Sequence, residues 1–294
     1  RAQTYCFKRR PFSSVSEFVE SLPLVQSPLI RMGSLEPGEQ DNKACMQKVA
    51  IQTIDPKALS SGGPPPEIDE QTGLPKKMAA FVVVTEPEVL VVQNFISDSE
   101  MNHMLELAEN LWAPSGVTVN GSRQGQVTKA RTSFSCVFQP GHTQVVADVE
   151  QRCANLAGIG VEYLEQLALV RYEPGQYFNL HHDGVHRSKT IFVYLNDLPD
   201  EESGGETIFP NLGVQFTPRR GAAVMWNNIH PDMSEDSRLF HAGTAPLKGV
   251  KYGVNCFFNI HPLKVRGVLD GDMPLDLPSL ANTEAQDRKE WPTI

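Results

Sequence analysis

The chain has 294 residues, of which 40% are hydrophobic, so it is long enough to bury a sizeable core in one or two domains. Its 26 Lys and Arg residues against 35 Asp and Glu residues give a net charge of -9, which argues against nucleic acid or an anionic membrane surface as a partner. The sequence contains no run of about 18–20 apolar residues, so no membrane span is predicted.

The first 80 residues differ in composition from the rest of the chain. The stretch SSGGPPPEIDEQTGLPKK at 60–77 combines Gly, Pro and Ser, which disfavours helices and central strands and is typical of a linker. We therefore predict an N-terminal extension and linker over 1–80, a domain over 81–263 and a C-terminal tail over 264–294. The extension is a candidate for contact with the core or with a protein partner.

Beyond residue 80 the pattern changes to short β-branched runs and two amphipathic segments. Ser97 and Glu100 have the Ser-x-x-Glu spacing of a capping box and precede apolar residues at helical spacing, which predicts a helix of about four turns. A second helix is predicted over 143–157, ended by Gly158. The segments LALVRY, TIFVYLN, ETIFP, GAAVMW and YGVNCFF then indicate strands separated by turn residues. This order of elements predicts an α+β domain whose strands close into a sandwich or barrel.

The five cysteines are widely spaced and odd in number, and no CxxC pair suggests structural zinc or a redox dithiol. They are Cys6, Cys45, Cys136, Cys153 and Cys256. Cys153 and Cys256 lie in apolar patterns, which predicts buried thiols.

The segment NLHHDG holds the clearest candidate metal ligands. Residues two apart in a strand project to the same face, so His181 and Asp183 should converge while His182 points away. Two histidines and one carboxylate on one face of a metal suit non-haem Fe(II) with an organic co-substrate and dioxygen. A second histidine must therefore come from another segment.

His241 is the candidate for that ligand, because its segment indicates a strand, a turn and a returning strand that carries a cation. The cation is Lys251, which could hold a carboxylate near the metal. Lys248 lies beside the turn residue Gly249 and is expected to be solvated.

Five ordered blocks of the chain resemble the Fe(II)/2-oxoglutarate dioxygenases of the prolyl 4-hydroxylase type, specifically the alpha-subunit catalytic domain. The blocks are YEPGQYFNLHHD, TIFVYLND, GGETIFP, PRRGAAVMWNN and HAGTAPLKGVKYG, and the resemblance covers roughly 85–262. It implies a double-stranded β-helix, or jelly roll, with flanking N-terminal helices. It also implies hydroxylation of proline in a peptide or protein, coupled to oxidative decarboxylation of 2-oxoglutarate to succinate and carbon dioxide.

Carried over position by position, the resemblance implies that His181, Asp183 and His241 bind Fe(II). It implies that Lys251 pairs with the distal carboxylate of 2-oxoglutarate, so these four residues form the expected catalytic set. The implied cofactors and co-substrates are Fe(II), 2-oxoglutarate and dioxygen, with ascorbate as the reductant.

The resemblance also assigns residues around this centre. Tyr172 and Thr207 match positions that hydrogen-bond the co-substrate, and Arg187 matches an arginine on the substrate side. Phe178 stands where the family commonly has tyrosine, and Phe257 where it often has tryptophan. Both departures keep an aromatic wall for the substrate but lose a polar group.

Two other functions stay open at this point. The chain could be a 2-oxoglutarate oxygenase that acts on a small molecule or on another side chain. It could also be a non-catalytic docking subunit that retains the hydroxylase domain and binds a larger assembly through residues 1–80. The resemblance favours the lumen of the endoplasmic reticulum or the secretory pathway, with the mitochondrion as the alternative.

Overall fold

The computed structural model describes residues 51–60, 67–117 and 127–263. The helices in these ranges are α1 (Asp98–Ala108) and α2 (Gln144–Ala157), and 3-10 helices span Pro56–Ala58, Val161–Tyr163 and Ser237–Leu239. The strands are β1 (Gln52–Ile54), β2 (Ala80–Thr85), β3 (Glu88–Val92), β4 (Ala113–Pro114), β5 (Phe134–Val137), β6 (Ala168–Tyr172), β7 (Phe178–His181), β8 (Arg187–Tyr194), β9 (Thr207–Phe209), β10 (Val214–Phe216), β11 (Ala223–Asn227), β12 (His241–Gly243) and β13 (Lys251–Asn259). Among the described helices, none is long and apolar enough to cross a membrane.

The strands form two sheets. The larger sheet has the order β2-β3-β11-β8-β13-β6-β5-β4, and the smaller has the order β1-β10-β9-β12-β7. The neighbours Leu169 and Val170 on β6 show how the larger sheet is used on both faces. Leu169 belongs to a buried cluster with Met104 of α1 and Val149 of α2, whereas Val170 belongs to a second cluster with Phe216 of the smaller sheet. The predicted jelly roll with flanking helices is thus confirmed.

The two helices begin and end where local chemistry dictates. Ser97 Oγ accepts from the backbone N–H of Glu100 at 3.3 Å, and the Ser97 N–H donates to the Glu100 carboxylate at 2.8 Å, which is the predicted capping box. Helix α1 has 11 residues, about three turns rather than four. Helix α2 ends at Gly158, whose φ of 68° is the left-handed conformation that glycine adopts without strain. Glu100 also binds Arg152 of α2 at 2.7 Å, so the same carboxylate joins the helices.

The core sheet begins before residue 81, which corrects the predicted domain boundary. Strand β1 lies inside the predicted extension, yet it pairs in parallel with β10 at the edge of the smaller sheet. Arg219 donates to both carboxylate oxygens of Asp55 at 2.8 and 2.6 Å, which fastens the residue after β1 to the domain. Sequence patterns did not reveal β1, because three residues are too few to show the alternation of a strand. Its partner is also remote, since Thr53 contacts Gln215, which lies 162 residues away in sequence.

Several sequence predictions lie outside the described residues, namely Cys6, Cys45, residues 1–50 of the extension and the tail over 264–294. Within the described ranges, Cys136, Cys153 and Cys256 are free, buried thiols, as predicted for the last two. Burial raises the pKa of the Cys136 thiol to about 11, which keeps it protonated and unreactive at neutral pH.

Candidate metal centre

Three predicted ligands meet where β7 and β12 pair. His181 and His241 lie directly opposite each other in the antiparallel register of these strands. Asp183 follows in the turn after β7, and its Oδ1 lies 3.6 Å from His181 Nε2 and 3.8 Å from His241 Nε2. Among the described residues, these three form the single group of side chains able to hold a metal ion together.

Hydrogen bonds fix both histidines in the tautomer that a metal needs. His181 Nδ1 lies 2.8 Å from the carbonyl oxygen of Asn179, and His241 Nδ1 lies 3.0 Å from that of Leu239. Because a carbonyl oxygen can only accept, each Nδ1 carries the proton. Each Nε2 therefore keeps its lone pair free for a metal, which is the usual state of a metal-binding imidazole, and lies within 3.8 Å of Asp183 Oδ1.

The electrostatics of the cluster also favour a divalent cation. Burial lowers the pKa of His241 to about 4, although Asp183 opposes this shift, so the ring is neutral at neutral pH. Burial by itself raises the pKa of the Asp183 carboxyl, but His241, His181 and Arg187 outweigh it and hold that pKa well below its usual range. Two neutral imidazoles and one carboxylate are the donor set of non-haem Fe(II) sites that leave coordination positions open, so these residues fit Fe(II).

His182 points away from the cluster, as its position between the two ligands predicts. Its Nε2 lies 2.8 Å from the carbonyl oxygen of Asn228, and its Nδ1 accepts from the Gly184 N–H at 3.0 Å. The His182 side chain is only 4% exposed. Since both of its ring nitrogens are occupied, His182 holds the shape of the turn rather than a metal.

A pocket between the sheets opens onto the three ligands. Five other residues predicted from the sequence line it, namely Tyr172, Phe178, Thr207, Lys251 and Phe257. Arg187 does not line this pocket. The structure thus assembles most of the predicted site around one opening.

Lys251 is the least compensated charge in this pocket. It is 2% exposed, and its Nζ lies 5.1–5.5 Å from the ring centroids of Tyr172, Phe192 and Tyr194. In the part of the chain that the structure describes, no carboxylate forms an ion pair with it. Burial therefore lowers the pKa of Lys251 to about 7, although Glu206 opposes the shift.

Lys248 has the opposite surroundings, as predicted. Its side chain is 49% exposed, and its Nζ pairs with Asp200 at 2.8 Å. In an exposed pair of this kind the lysine ammonium stays hydrated, so its charge costs far less free energy than a buried one.

The two residues predicted to bind the co-substrate lie beside Lys251. Tyr172 is the cross-strand partner of Lys251 on β6. Thr207 Oγ1 accepts from the Tyr194 hydroxyl at 2.8 Å, so the Thr207 hydroxyl keeps its own proton for another acceptor. Their contact with a co-substrate stays a prediction.

Two of the three predicted substrate residues, Phe178 and Phe257, line the pocket. Phe178 stacks on the His181 ring, with centroids 3.6 Å apart. The guanidinium carbon of Arg187 lies 3.7 Å from the Phe257 ring centroid, and its Nε and Nη2 each donate to Glu165 at 2.8 Å. The charge of Arg187 is therefore already paired, and its role towards a substrate stays a prediction.

Sequence reasoning missed several pocket residues, chiefly Arg131 and Asn255, and also Phe192 and Trp226. Asn255 shares a face of β13 with Lys251 at a spacing of four, so strand alternation could have found it. Arg131 has no such signal, because it precedes β5 and reaches Phe178 from a distant segment, through an isolated bridge and with its guanidinium carbon 4.7 Å from the Phe178 ring centroid.

Replacing Asp183 with Ala should weaken Fe(II) binding by more than about 100-fold. Mutation of a residue that only hydrogen-bonds a metal ligand typically costs about 10–100-fold in affinity, and loss of a ligand itself should cost more. The reason is that Asp183 is the anion of the cluster. Anaerobic calorimetric titration with Fe(II) measures the effect. His261→Ala is the matched control, since His261 is exposed and outside the cluster, and its affinity should equal that of the unaltered protein. Equal affinities for both variants would contradict the assignment.

Comparison with known proteins agrees with this site. Residues 167–259 match the 2OG-Fe(II) oxygenase superfamily. Prolyl 4-hydroxylase 5 of Arabidopsis thaliana is 29% identical over 213 residues, which cover 63% of this chain and 72% of that protein. Probable prolyl 4-hydroxylase 11 of the same plant is 31% identical over 175 residues, which cover 54% of this chain and 63% of that protein.

Among solved structures, the viral collagen prolyl hydroxylase of Paramecium Bursaria Chlorella virus-1 aligns with a TM-score of 0.47 and 24% identity, over 57% of this chain and 94% of the viral one. The matched segment, 167–259, contains all three clustered ligands and Lys251. Over this segment the chain is thus similar to the 2OG-Fe(II) oxygenase superfamily, and the Arabidopsis proteins that it resembles are named prolyl 4-hydroxylases.

Proposed function

We propose that this chain is an Fe(II)- and 2-oxoglutarate-dependent dioxygenase that hydroxylates proline in a peptide or protein and oxidises 2-oxoglutarate in the same turnover. The observation that carries the proposal is the pairing, in one pocket, of an open His-Asp-His cluster with a buried lysine that lacks a carboxylate partner among the described residues. The cluster end of the pocket suits a metal cation, and the Lys251 end suits an anionic group. A dicarboxylate that chelates the metal with one end and pairs with the lysine at the other would use both.

The co-substrate end is built around Lys251. A buried ammonium without an anionic partner is costly, and a ligand carboxylate would remove that cost. We therefore assign Lys251 to the distal carboxylate of 2-oxoglutarate, with Tyr172 and Thr207 as hydrogen-bonding neighbours. When bound, Fe(II) supplies the coordination positions and the redox chemistry for the keto acid and dioxygen.

The overall reaction balances without another reactant. One oxygen atom of dioxygen replaces a hydrogen of the proline ring as a hydroxyl group, and the other enters succinate as carbon dioxide leaves 2-oxoglutarate. The work of the protein is to hold the co-substrate and the proline ring at the same metal and to limit access of water.

The substrate assignment rests on the relatives and on the chemistry of the wall. The Arabidopsis relatives, 29% and 31% identical, are named prolyl 4-hydroxylases. Proline presents an apolar ring without charge, and the rings of Phe178 and Phe257 line the pocket beside the ligands. Apolar contact with these rings would orient a ring carbon towards the metal while the rim contacts the peptide backbone.

Proline-containing peptides should gain about 16 Da on proline, with one succinate formed per hydroxylation. Mass spectrometry of a peptide library, incubated with iron-loaded protein and 2-oxoglutarate, measures this gain, and Asp183→Ala is the inactive control. Succinate formed without oxidation of any peptide would instead favour a small-molecule substrate. The absence of both products from iron-loaded protein would favour a docking subunit.

Lys251→Ala should raise the KM for 2-oxoglutarate by about 100-fold or more, because breaking a buried charge pair costs about 3–5 kcal/mol. Steady-state kinetics at saturating peptide measure the change. Lys248→Ala removes the same charge from an exposed pair and should leave the KM nearly unaltered. A larger effect at Lys248 would reverse the assignment.

Binding of 2-oxoglutarate should also weaken as the pH rises above about 7. The charged lysine binds the carboxylate, and the pKa of Lys251 in the free protein is about 7. Its charged fraction, and with it the affinity, should fall about tenfold per pH unit above that value until the pKa in the complex is reached. Calorimetry on metal-loaded protein measures the affinity.

Pyruvate is the reference ligand for this pH series, because it keeps the keto acid and lacks the distal carboxylate. The ratio of the two dissociation constants isolates Lys251 from any pH effect on the metal or its ligands. A ratio that stays constant between pH 6 and 9 would contradict the assignment.

A further inference from the structure

The two oxygens of the Asp183 carboxylate have different neighbours. Oδ1 faces the Nε2 atoms of His181 and His241 at 3.6 and 3.8 Å. Oδ2 accepts a hydrogen bond of 2.6 Å from the Thr190 hydroxyl. Thr190 is fully buried on β8, so this hydroxyl has no access to bulk water. One oxygen is thus directed to the metal position and the other is held from behind.

A chain of hydrogen bonds decides which atom donates at each step. The Trp226 Nε1–H lies 2.9 Å from Asn228 Oδ1, and an indole nitrogen can only donate. The amide oxygen of Asn228 therefore faces Trp226, and its Nδ2 faces Thr190 Oγ1 at 2.9 Å. An amide nitrogen also only donates, so Thr190 accepts there and its single proton goes to Asp183. Trp226 and Asn228 are 2% and 0% exposed, so water does not compete for these groups.

The fold holds this chain in register. Trp226 on β11 is the cross-strand partner of Thr190 on β8, and Asn228 directly follows the end of β11. The Asn228 backbone carbonyl also accepts from His182, which anchors the turn between the ligands. One residue therefore supports the ligand turn through its backbone and supports Thr190 through its side chain.

We propose that Thr190, oriented by Asn228 and Trp226, is a positioning residue that makes Asp183 bind the metal through Oδ1 alone. A carboxylate with both oxygens free can turn and occupy two coordination positions, whereas the bond from Thr190 reserves Oδ2. The open positions then stay available to the co-substrate and dioxygen. The inference rests on the metal site of the proposed function and adds the group that sets its coordination.

Thr190→Val tests this directly, because it keeps the shape of the side chain and removes the hydroxyl. We expect Co(II) affinity, measured by titration of the protein with the metal alone, to fall about 10–100-fold, the usual effect of removing a group that orients a ligand. The Co(II) d–d absorption spectrum should change as well, because Asp183 is released to bind differently. Thr190→Ser restores the hydroxyl and should return both affinity and spectrum close to those of the unaltered protein.

Ser188→Ala is the matched control on the same strand. The Ser188 hydroxyl donates to the carbonyl oxygen of Phe258 at 3.1 Å and takes no part in the chain to Asp183. Its loss should leave Co(II) affinity and spectrum unchanged. A Thr190→Val protein with the affinity and spectrum of Ser188→Ala would overturn the proposal.

If Thr190→Val does not fold, Trp226→Phe supplies the test. Without the indole donor, the Asn228 amide is free to turn its oxygen to Thr190 and draw the hydroxyl proton away from Asp183. A weaker Co(II) affinity with an altered spectrum would support the proposal, and unchanged values would overturn it. Failure of the unaltered protein to bind Co(II) would count against the metal site itself, so the two failures are distinguishable.

Discussion

The antiparallel pairing of β7 with β12 places His181 directly opposite His241, and the rest of the site depends on this register. Directly opposed residues project to the same face of a sheet, so both imidazoles face the interior. Each ring then donates to the carbonyl oxygen of the residue two positions before it, Asn179 or Leu239, which leaves both Nε2 atoms free. A shift of one residue in this pairing would turn one imidazole to the other face of the sheet, and the three ligands would no longer lie together.

The two ends of the pocket differ in how their buried charge is compensated. The Thr190 hydroxyl donates to the Asp183 carboxylate and the positive charge of Arg187 lowers its pKa, so this carboxylate stays ionised and ready for a cation. Lys251 is surrounded by aromatic rings, which attract its charge weakly and leave its pKa lowered. The difference follows from chemistry: a metal needs its anionic ligand in the charged form beforehand, whereas a dicarboxylate can bring the charge that holds the lysine protonated.

The sequence predicted most of the secondary structure because its signals are local. The capping box at Ser97, the left-handed Gly158 and the alternating strands each depend on residues a few positions apart. Strand β1 was missed because its pairing partner is remote in sequence and its three residues carry no pattern. The edge of a sheet can recruit such a segment through backbone hydrogen bonds alone, whatever its side chains are.

By itself, the sequence determined the His-x-Asp pair and the returning strand with Lys251, since strand geometry fixes which neighbours share a side, whereas Phe257 was assigned from the resemblance to a known family. Only the tertiary structure decided that Arg131 lines the pocket and that Glu165 forms an ion pair with Arg187. The tertiary structure alone also set which atom donates in the hydrogen bonds that run from Trp226 through Asn228 and Thr190 to Asp183. These features depend on atoms from segments far apart in the chain. The direction of each hydrogen bond is settled only when folding brings the donor and its acceptor together.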